Sequence, residues 1–565
     1  MADSPEIPKV EGADAFVRAE GSTTRVEKAG TSGPSGVEEH GTSARGSPRN
    51  LGELGVSSEV VRETGRSERY RGTKENEVKR EGRREVGTPH STEESGELFP
   101  AGPGGGKGES EQGAVGGKRR DIPRSVDTYT KLRRVAELAR KMPGKALTSL
   151  SHHMDVEFLR EAYRRTRRDG ATGADGQTWD EYGEHLEENL RGLLDRAKSG
   201  TYRAPPVRRV RIPKGDGKET RPIGIPTIED KVLQRGVAML LEAVYEEDFK
   251  DFSYGFRPHR SAHGALEAVW KNVMDMGGCW LVEVDLRRFF DTLGHGQLLE
   301  IMSQRVRDGV LLRLIGKWLN AGVLEGEELS YPEAGTPQGG VISPLLANVY
   351  LHHVLDEWWA KDVQPRLRGR AFLVRYADDF VMGFEDEQDA KRVAEALPER
   401  FGQFGLGLNA EKTRRVDFRR PHERTGRHAD GTRPGTFDFL GFTHYWGRSR
   451  KGHPTVKQKT AASRFRRTLK RAGEWLRTHF HAPVRWQHER LSVALRGHDS
   501  YFGVTGNVRA LQSLRHRLTG LWRRWLARRS TRGVPWEQMN LLLARFPLPP
   551  ARVVHSCYGV SKALL

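Results

Sequence analysis

The sequence predicts an α+β fold that gives way to a basic helical region, and three observations carry that expectation. Two short apolar runs rich in β-branched residues, Trp280 to Leu286 (WLVEVDL) and Phe372 to Met382 (FLVRYADDFVM), read as strands. Apolar residues recur at helical spacing on either side of them. Beyond about Gly447, Arg, Trp and Leu dominate, and the helices they predict carry a basic face.

At 565 residues, 36% hydrophobic and 30% charged, the chain has room for about three or four domains of ~100–200 residues, each with a core. It carries 94 Lys and Arg against 75 Asp and Glu, a net charge of +19. That balance favours a polyanionic partner, above all nucleic acid, and salt-sensitive binding. No apolar stretch approaches the ~18–20 residues of a spanning helix, and the segment from Met1 to Val10 is polar and acidic, unlike a secretory signal. Two cysteines, Cys279 and Cys557, exclude a disulfide scaffold and a Cys-rich zinc module. The expectation is a soluble cytoplasmic protein with no membrane partner.

Residues 1–124 read as a disordered low-complexity extension. The aromatics before residue 120 are Phe16, Tyr70 and Phe99, too little apolar area to offset the entropy of ordering the chain. The glycine run from Ala101 to Gly108 is a linker and not a phosphate loop, because Lys107 is followed by Gly108 where Ser or Thr is needed. Helices follow from Leu132, Val135, Leu138 and Ala139, from Phe158, Leu159 and Tyr163, and from Leu186, Leu190 and Leu193. Alternating Val207, Val210 and Ile212, in a proline-punctuated stretch from Arg203 to Pro226, predict a strand or hairpin. Gly335 to Leu346 (GTPQGGVISPLL) reads as a loop running into a helix. Ser343 is its N-cap, Pro344 takes the first helical position, and Leu351, Val354, Leu355 and Trp358 form the apolar stripe.

The first strand ends on Asp285, and an aspartate there is costly to bury unless paired, capped or bound to a cation. The second run breaks at Ala377, Asp378 and Asp379, the pattern of a hairpin with adjacent carboxylates at its tight turn. Alone, such a turn is most simply an acidic turn in water. If both strands share one sheet, three carboxylates converge and suit hard divalent cations bound through oxygen, Mg²⁺ being the usual choice beside phosphates. Two such ions lower the pKa of an attacking hydroxyl and stabilise a leaving oxygen. Spacing by itself leaves that convergence open.

Tyr376-Ala377-Asp378-Asp379 resembles the Y-x-D-D hairpin of reverse transcriptases encoded by group II introns of the bacterial type. Asp285, followed by Phe289 and Phe290, resembles that family's first metal-binding aspartate and its aromatic pair. Arg168 to Trp179 (RDGATGADGQTW), Phe404 to Thr413 (FGLGLNAEKT), Phe437 to Phe442 (FDFLGF), Leu495 to Val504 (LRGHDSYFGV) and Leu521 to Arg529 (LWRRWLARR) are similar to further family segments in the same order, so the likeness covers about residues 131–565. It implies a right-hand polymerase with α+β fingers and palm over 125–445, the palm sheet antiparallel, and a helical thumb/maturase region over 446–565. Asp285, Asp378 and Asp379 would hold two Mg²⁺, with Mn²⁺ as a substitute, while a primer 3′-hydroxyl attacks an incoming deoxynucleotide.

The resemblance also implies roles around that centre. Lys214 and Arg221 flank the hairpin PKGDGKETRPIGIP and would lie over the triphosphate, with Lys218 a weaker candidate. Gln338 would contact the nucleotide, and its glycine neighbours would allow close backbone approach. Phe290 resembles the steric gate against a 2′-hydroxyl, one of the pair Phe289 and Phe290 being core. Asp291 and His295 are given structural roles.

Interleaved Arg and Trp near the C-terminus offer phosphate contacts and stacking surfaces suited to structured RNA. Arg496, Arg523, Arg524, Arg528 and Arg529 are the candidate contacts, with Trp522 and Trp525 mainly core and His498, Tyr501 and Phe502 packing. The implied function is an RNA-directed DNA polymerase that copies intron RNA and, as a maturase, binds that RNA to assist splicing and mobility. Its partners would be group II intron RNA, a DNA target and primer, and deoxynucleoside triphosphates, with a homodimer left open. Many relatives carry a C-terminal HNH endonuclease with cysteine-pair ligands. Cys557 has no such partner nearby, so no second-strand cleavage is expected, and priming would come from another nick or a replication fork. Two alternatives stay open. One is a splicing-only RNA-binding maturase, which the intact set Asp285, Asp378, Asp379, Gln338 and Lys214 argues against. The other is a retron or diversity-generating type reverse transcriptase, which the maturase-like C-terminus disfavours.

Overall fold

The computed structural model describes residues 126–214, 219–326, 328–331, 335 and 339–556. The 1–124 extension, Lys218 and Gln338 lie outside the described residues, as does the side chain of Lys214. Four helices come first: α1 (Val126–Lys141), α2 (Val156–Arg165), α3 (Trp179–Glu184) and α4 (Leu186–Ser199). The hairpin β1 (Val207–Lys214) and β2 (Glu219–Ile225) follows as expected, then α5 (Ile228–Tyr245) and α6 (Ala262–Asp275). Strand β3 (Gly278–Arg287) leads to α7 (Phe289–Thr292), α8 (His295–Arg305), α9 (Gly309–Leu319), β4 (Val323–Glu325) and β5 (Glu328–Ser330).

Helix α10 (Ser343–Leu351) runs on in wider, π-type turns to Val363. The hairpin β6 (Ala371–Tyr376) and β7 (Asp379–Phe384), helix α11 (Glu387–Gly402), and strands β8 (Gly407–Leu408) and β9 (Arg414–Arg419) come next. A three-stranded meander, β10 (Phe437–Phe439), β11 (Phe442–Arg448) and β12 (Pro454–Thr460), precedes four helices: α12 (Ala462–Thr478), α13 (Val484–Phe502), α14 (Val508–Leu526) and α15 (Trp536–Arg545). Among the described residues no helix is long and apolar enough to cross a membrane.

Side-chain caps fix many of these boundaries, each stabilising by ~1 kcal/mol. Asp155 accepts from the Phe158 N–H at the start of α2, and Thr178 and Glu181 form a reciprocal capping box on α3. Asp308 caps α9 and also accepts from the backbone N–H groups of Leu150 and Ser151, tying two distant segments together. One expectation shifts. Helix α10 starts at Ser343 itself, with Ile342 in the N-cap position and no side-chain cap there, because the loop reaches helical geometry one residue early. The α1 stripe also narrows: Val135 and Ala139 are buried, whereas Leu138 is 39% exposed.

The central sheet has the order β6-β7-β3, with β9 and β8 pairing in turn along the free side of β3. Strand parity assigns its faces. Val282, Val284, Phe380 and Met382 join the large core shared with α5, α10 and α11, whereas Leu281, Val381 and Val374 join a second core shared with α6 and the meander. Asp285 and Asp379 therefore share the face of Leu281 and Val381, at the strand ends where the second core stops. A third cluster, around Leu476, Leu495, Leu518 and Trp522, holds the last helices together.

Candidate active site

Register alone brings the carboxylates together. Asp285 on β3 stands directly opposite Asp379 on β7, and opposed residues of an antiparallel pair hold their Cβ atoms ~4.5–5.5 Å apart. Tyr376 pairs with Asp379 across the hairpin, so Ala377 and Asp378 make its two-residue turn. Ala377 takes φ of 56°, the left-handed region such turns require. A Cβ on Gly255 would stand 2.3 Å from the Ala377 nitrogen, so only glycine fits beneath the turn.

A fully buried polar lattice holds that turn from below. The Arg375 guanidinium donates to both carboxylate oxygens of Asp356, at 2.8 and 2.5 Å. Its remaining nitrogen, Nη1, donates to Asn348 Oδ1 at 2.9 Å and to the Ala377 carbonyl at 3.1 Å. Asn348 Nδ2 in turn donates to the Gly255 carbonyl at 2.7 Å.

Electrostatics in the cleft are strained. Burial, then the charges of Asp378 and Asp285, push the Asp379 carboxyl up to about 7, partly opposed by Arg464. Burial also raises Asp378, with Arg221 pulling the other way. Asp285 is met by Asn409 Nδ2 and Lys412 Nζ, each 3.1 Å from Oδ2. Among the described residues no group of three His, Cys, Asp or Glu side chains is already closed into a metal-holding cluster. The donor set nevertheless fits a hard divalent cation. It is all oxygen, it is crowded with like charge, and among the described residues the cation in contact with it is the exposed Lys412 ammonium, which can swing aside.

Arg221 is exposed on β2, cross-strand from Ile212. Gly339, at φ 116°, packs so closely on β2 that a Cβ would stand 2.5 Å from the Gly224 carbonyl oxygen, which sets the glycine pair of the P-Q-G-G loop beside the strand carrying Arg221. Phe289 is buried at 2%, its ring 6.4 Å from Tyr350, while Phe290 is half-exposed and edge-on to it. His295 meets the Gly335 carbonyl at 2.5 Å, a structural contact. In the C-terminal helices, Trp522 is fully buried and Trp525 half-buried. Arg496, Arg524 and Arg528 are exposed, but two of the candidate RNA contacts are engaged internally. Arg523 donates to the Val534 carbonyl and lies over Trp536, and Arg529 donates to the carbonyls of Phe480 and Ala482. Beside them, Lys470, His516, Arg517, Arg523 and Arg524 rim a cleft of about 670 Å³.

Sequence reading missed Asn348, Asp356, Gly255, Asn409 and Arg464. Of these, Asn409 carried a usable signal, since it sits inside a segment with recognisable text, FGLGLNAEKT.

Residues 212–444 match the family described as reverse transcriptase (RNA-dependent DNA polymerase). Protein YkfC of Escherichia coli is 34% identical over 369 residues, covering 57% of this chain and 91% of that protein. The group II intron-encoded protein LtrA of Lactococcus lactis subsp. cremoris is 36% identical over 231 residues, 40% of this chain and 38% of LtrA. The mitochondrial nuclear intron maturase 4 of Arabidopsis thaliana is 29% identical over 136 residues, 24% of this chain and 17% of that protein.

Proposed function

Since the chain belongs to the reverse transcriptase family, in its group II intron-encoded branch, we propose that it is an RNA-directed DNA polymerase that copies intron RNA and also serves as that intron's maturase. The observation that carries the reading is the cross-strand pairing of Asp285 with Asp379 beside Asp378 on one sheet end. Residues 125–445 are assigned to fingers and palm, and residues 446–565 to a thumb/maturase region. The polymerase substrates are deoxynucleoside triphosphates and a primer on an RNA template. In splicing the protein only stabilises the folded intron, because the chemistry there belongs to the RNA.

Asp285, Asp378 and Asp379 are the residues that would hold two Mg²⁺. Divalent cations bound there would ease deprotonation of the primer hydroxyl and stabilise the departing pyrophosphate. The chain's own groups do the positioning. Arg221, together with Lys214 and Gln338, is assigned to the incoming nucleotide, where its guanidinium offsets charge developing on the leaving phosphates. The Arg375 lattice fixes the turn that carries Asp378, and Asn409 orients Asp285. The exposed Arg496, Arg524 and Arg528 are assigned to RNA phosphates.

Extension of oligo(dT) on poly(rA) with dTTP and Mg²⁺ tests the reading. Folded protein that incorporates nothing would overturn it. Within that assay Phe290→Val tests the sugar gate. Discrimination against ribonucleotides is expected to fall at least ~10-fold, in line with the loss of a single apolar steric contact, with deoxynucleotide KM little changed. An unchanged ratio of dTTP to UTP incorporation sinks the assignment.

A further inference from the structure

Helix α5 buries a carboxylate that the fold satisfies on one side only. Asp230 stands in the first turn, three residues past the N-cap Thr227, and is 0% exposed. Its Oδ1 accepts from the Tyr202 hydroxyl and, at 2.9 Å, from the Trp318 indole N–H. Both donors are neutral. Its Oδ2 has no hydrogen-bond partner among the described residues. A buried carboxylate oxygen without a donor is costly, and such a group calls for hydration or a use.

Asp230 lines a small cavity of about 20 Å³ with Gln234, Trp318, Gly340, Ile342 and Ser343. One water needs at least ~10–15 Å³ and two or more polar partners, which Asp230, Gln234 and Ser343 supply. Part of the wall is the segment that follows Gln338. One helical turn on from Asp230, Gln234 Oε1 accepts from the Val341 N–H at 2.9 Å. Asp230 and Gln234 share a face of α5, so two buried polar side chains on consecutive turns meet Gly340–Ser343. Burial pushes the Asp230 carboxyl up to about 7, opposed by Tyr202 and Trp318 and reinforced by Glu229 and Asp175. The cations on the neighbouring elements are engaged elsewhere. Arg196 pairs with Glu229, Arg208 donates to the Thr172 carbonyl, Lys231 to that of Ala171, and Lys317 to those of Gly200 and Tyr202.

We propose that Asp230 is a positioning residue for nucleotide addition, whose carboxylate, through one water in this cavity, holds Gly340–Ser343 and so sets the loop that meets the incoming deoxynucleotide. The assignment rests on the polymerase reading, in which Gln338 contacts that nucleotide. An ionised Oδ2 is a strong acceptor and orders the water, whereas a protonated carboxyl loosens that hold. Asp230→Asn imitates the protonated form at similar volume. It raises the dTTP KM about 10-fold at pH ~8.5, the scale of one hydrogen bond to a charged group, and leaves the primer–template KM unchanged.

The quantity to measure is the ratio of variant to wild-type dTTP KM across pH, in which ionisation of the triphosphate and of the three aspartates cancels. It falls from about 10 at pH ~8.5 toward unity at pH ~6, where the wild type is itself protonated. Tyr202→Phe removes a donor to the charged form, so its dTTP KM rises at a higher pH than that of wild type on acidification. A ratio equal at every pH overturns the proposal, because a merely structural loss does not follow the proton. A loss confined to kcat, or a rise confined to the primer–template KM, overturns it as well. So does an unmoved midpoint in Tyr202→Phe, which settles the matter if thermal melts show Asp230→Asn unfolded. A wild type that extends no primer at any pH overturns the polymerase reading instead.

Discussion

Asp379→Asn abolishes primer extension, by ~10³-fold or more, and makes the metal-free protein more stable than wild type at pH 8. The activity loss follows from removing one oxygen donor of a cation centre worth several kcal/mol at the transition state, each ~1.4 kcal/mol being tenfold in rate. The stability gain follows from linkage. In the unfolded chain the carboxyl ionises near its ordinary 3.8, but burial and the neighbouring aspartates push it up to about 7 in the fold. The folded state therefore holds the proton more tightly. Stability from this group is complete below pH ~4 and is lost as pH rises through ~7. By itself that shift amounts to a few kcal/mol at most, and water in the cleft reduces it to roughly 1–2 kcal/mol. The wild type should melt lower at pH 8 than at pH 5, Mg²⁺ should restore it at pH 8, and Asp379→Asn should flatten the pH dependence and lose most of the Mg²⁺ response. A variant that still extends primers, or that melts with the wild-type pH profile, refutes this account.

What was legible in the sequence was what neighbours along the chain determine. The hairpin at Ala377 and Asp378 was visible because apolar runs flank a turn of two small or acidic residues, and β1–β2 because Val207, Val210 and Ile212 alternate. One phenylalanine of the 289–290 pair had to be core, and burial assigns that place to Phe289. The register setting Asp285 against Asp379 was not legible, because it pairs strands far apart in sequence and depends on a shared core. Nor was the Arg375–Asp356 pair. An arginine inside FLVRYADDF reads as the polar position of a half-buried strand, and its partner lies on turns whose widened geometry breaks the helical count. Arg464 looks like any other arginine of a basic amphipathic helix, and only the fold shows that its guanidinium has no hydrogen-bond or ion-pair partner among the described residues. Ser343 was misplaced by one residue because capping preference outweighed, in the reading, the helical geometry already reached at Ile342.

Arg375→Leu is expected to destabilise the protein by ~3–5 kcal/mol, the cost of leaving one member of a buried ion pair unpaired. Both side chains are fully buried. Burial pushes the Asp356 carboxyl up, but the Arg375 guanidinium, with His352 nearby, more than offsets this and holds it below the usual carboxylate range. Without the cation only burial remains, and Asp356 must protonate or unfold its surroundings. The double variant Arg375→Met with Asp356→Leu removes both charges at similar volume and should recover most of the lost stability, as apolar replacements of buried pairs often do. Activity should not return with it. The Ala377 carbonyl and Asn348 Oδ1 still lack their donor, and the turn carrying Asp378 still holds Ala377 at φ 56°, a conformation costing ~1–3 kcal/mol that its surroundings must impose. Thermal unfolding and primer extension on the same three proteins separate the two effects. If the double variant regains polymerase activity along with stability, the pair serves the core alone. If it is stable and slow, with dTTP KM near wild type and kcat reduced, the guanidinium is what sets the catalytic turn.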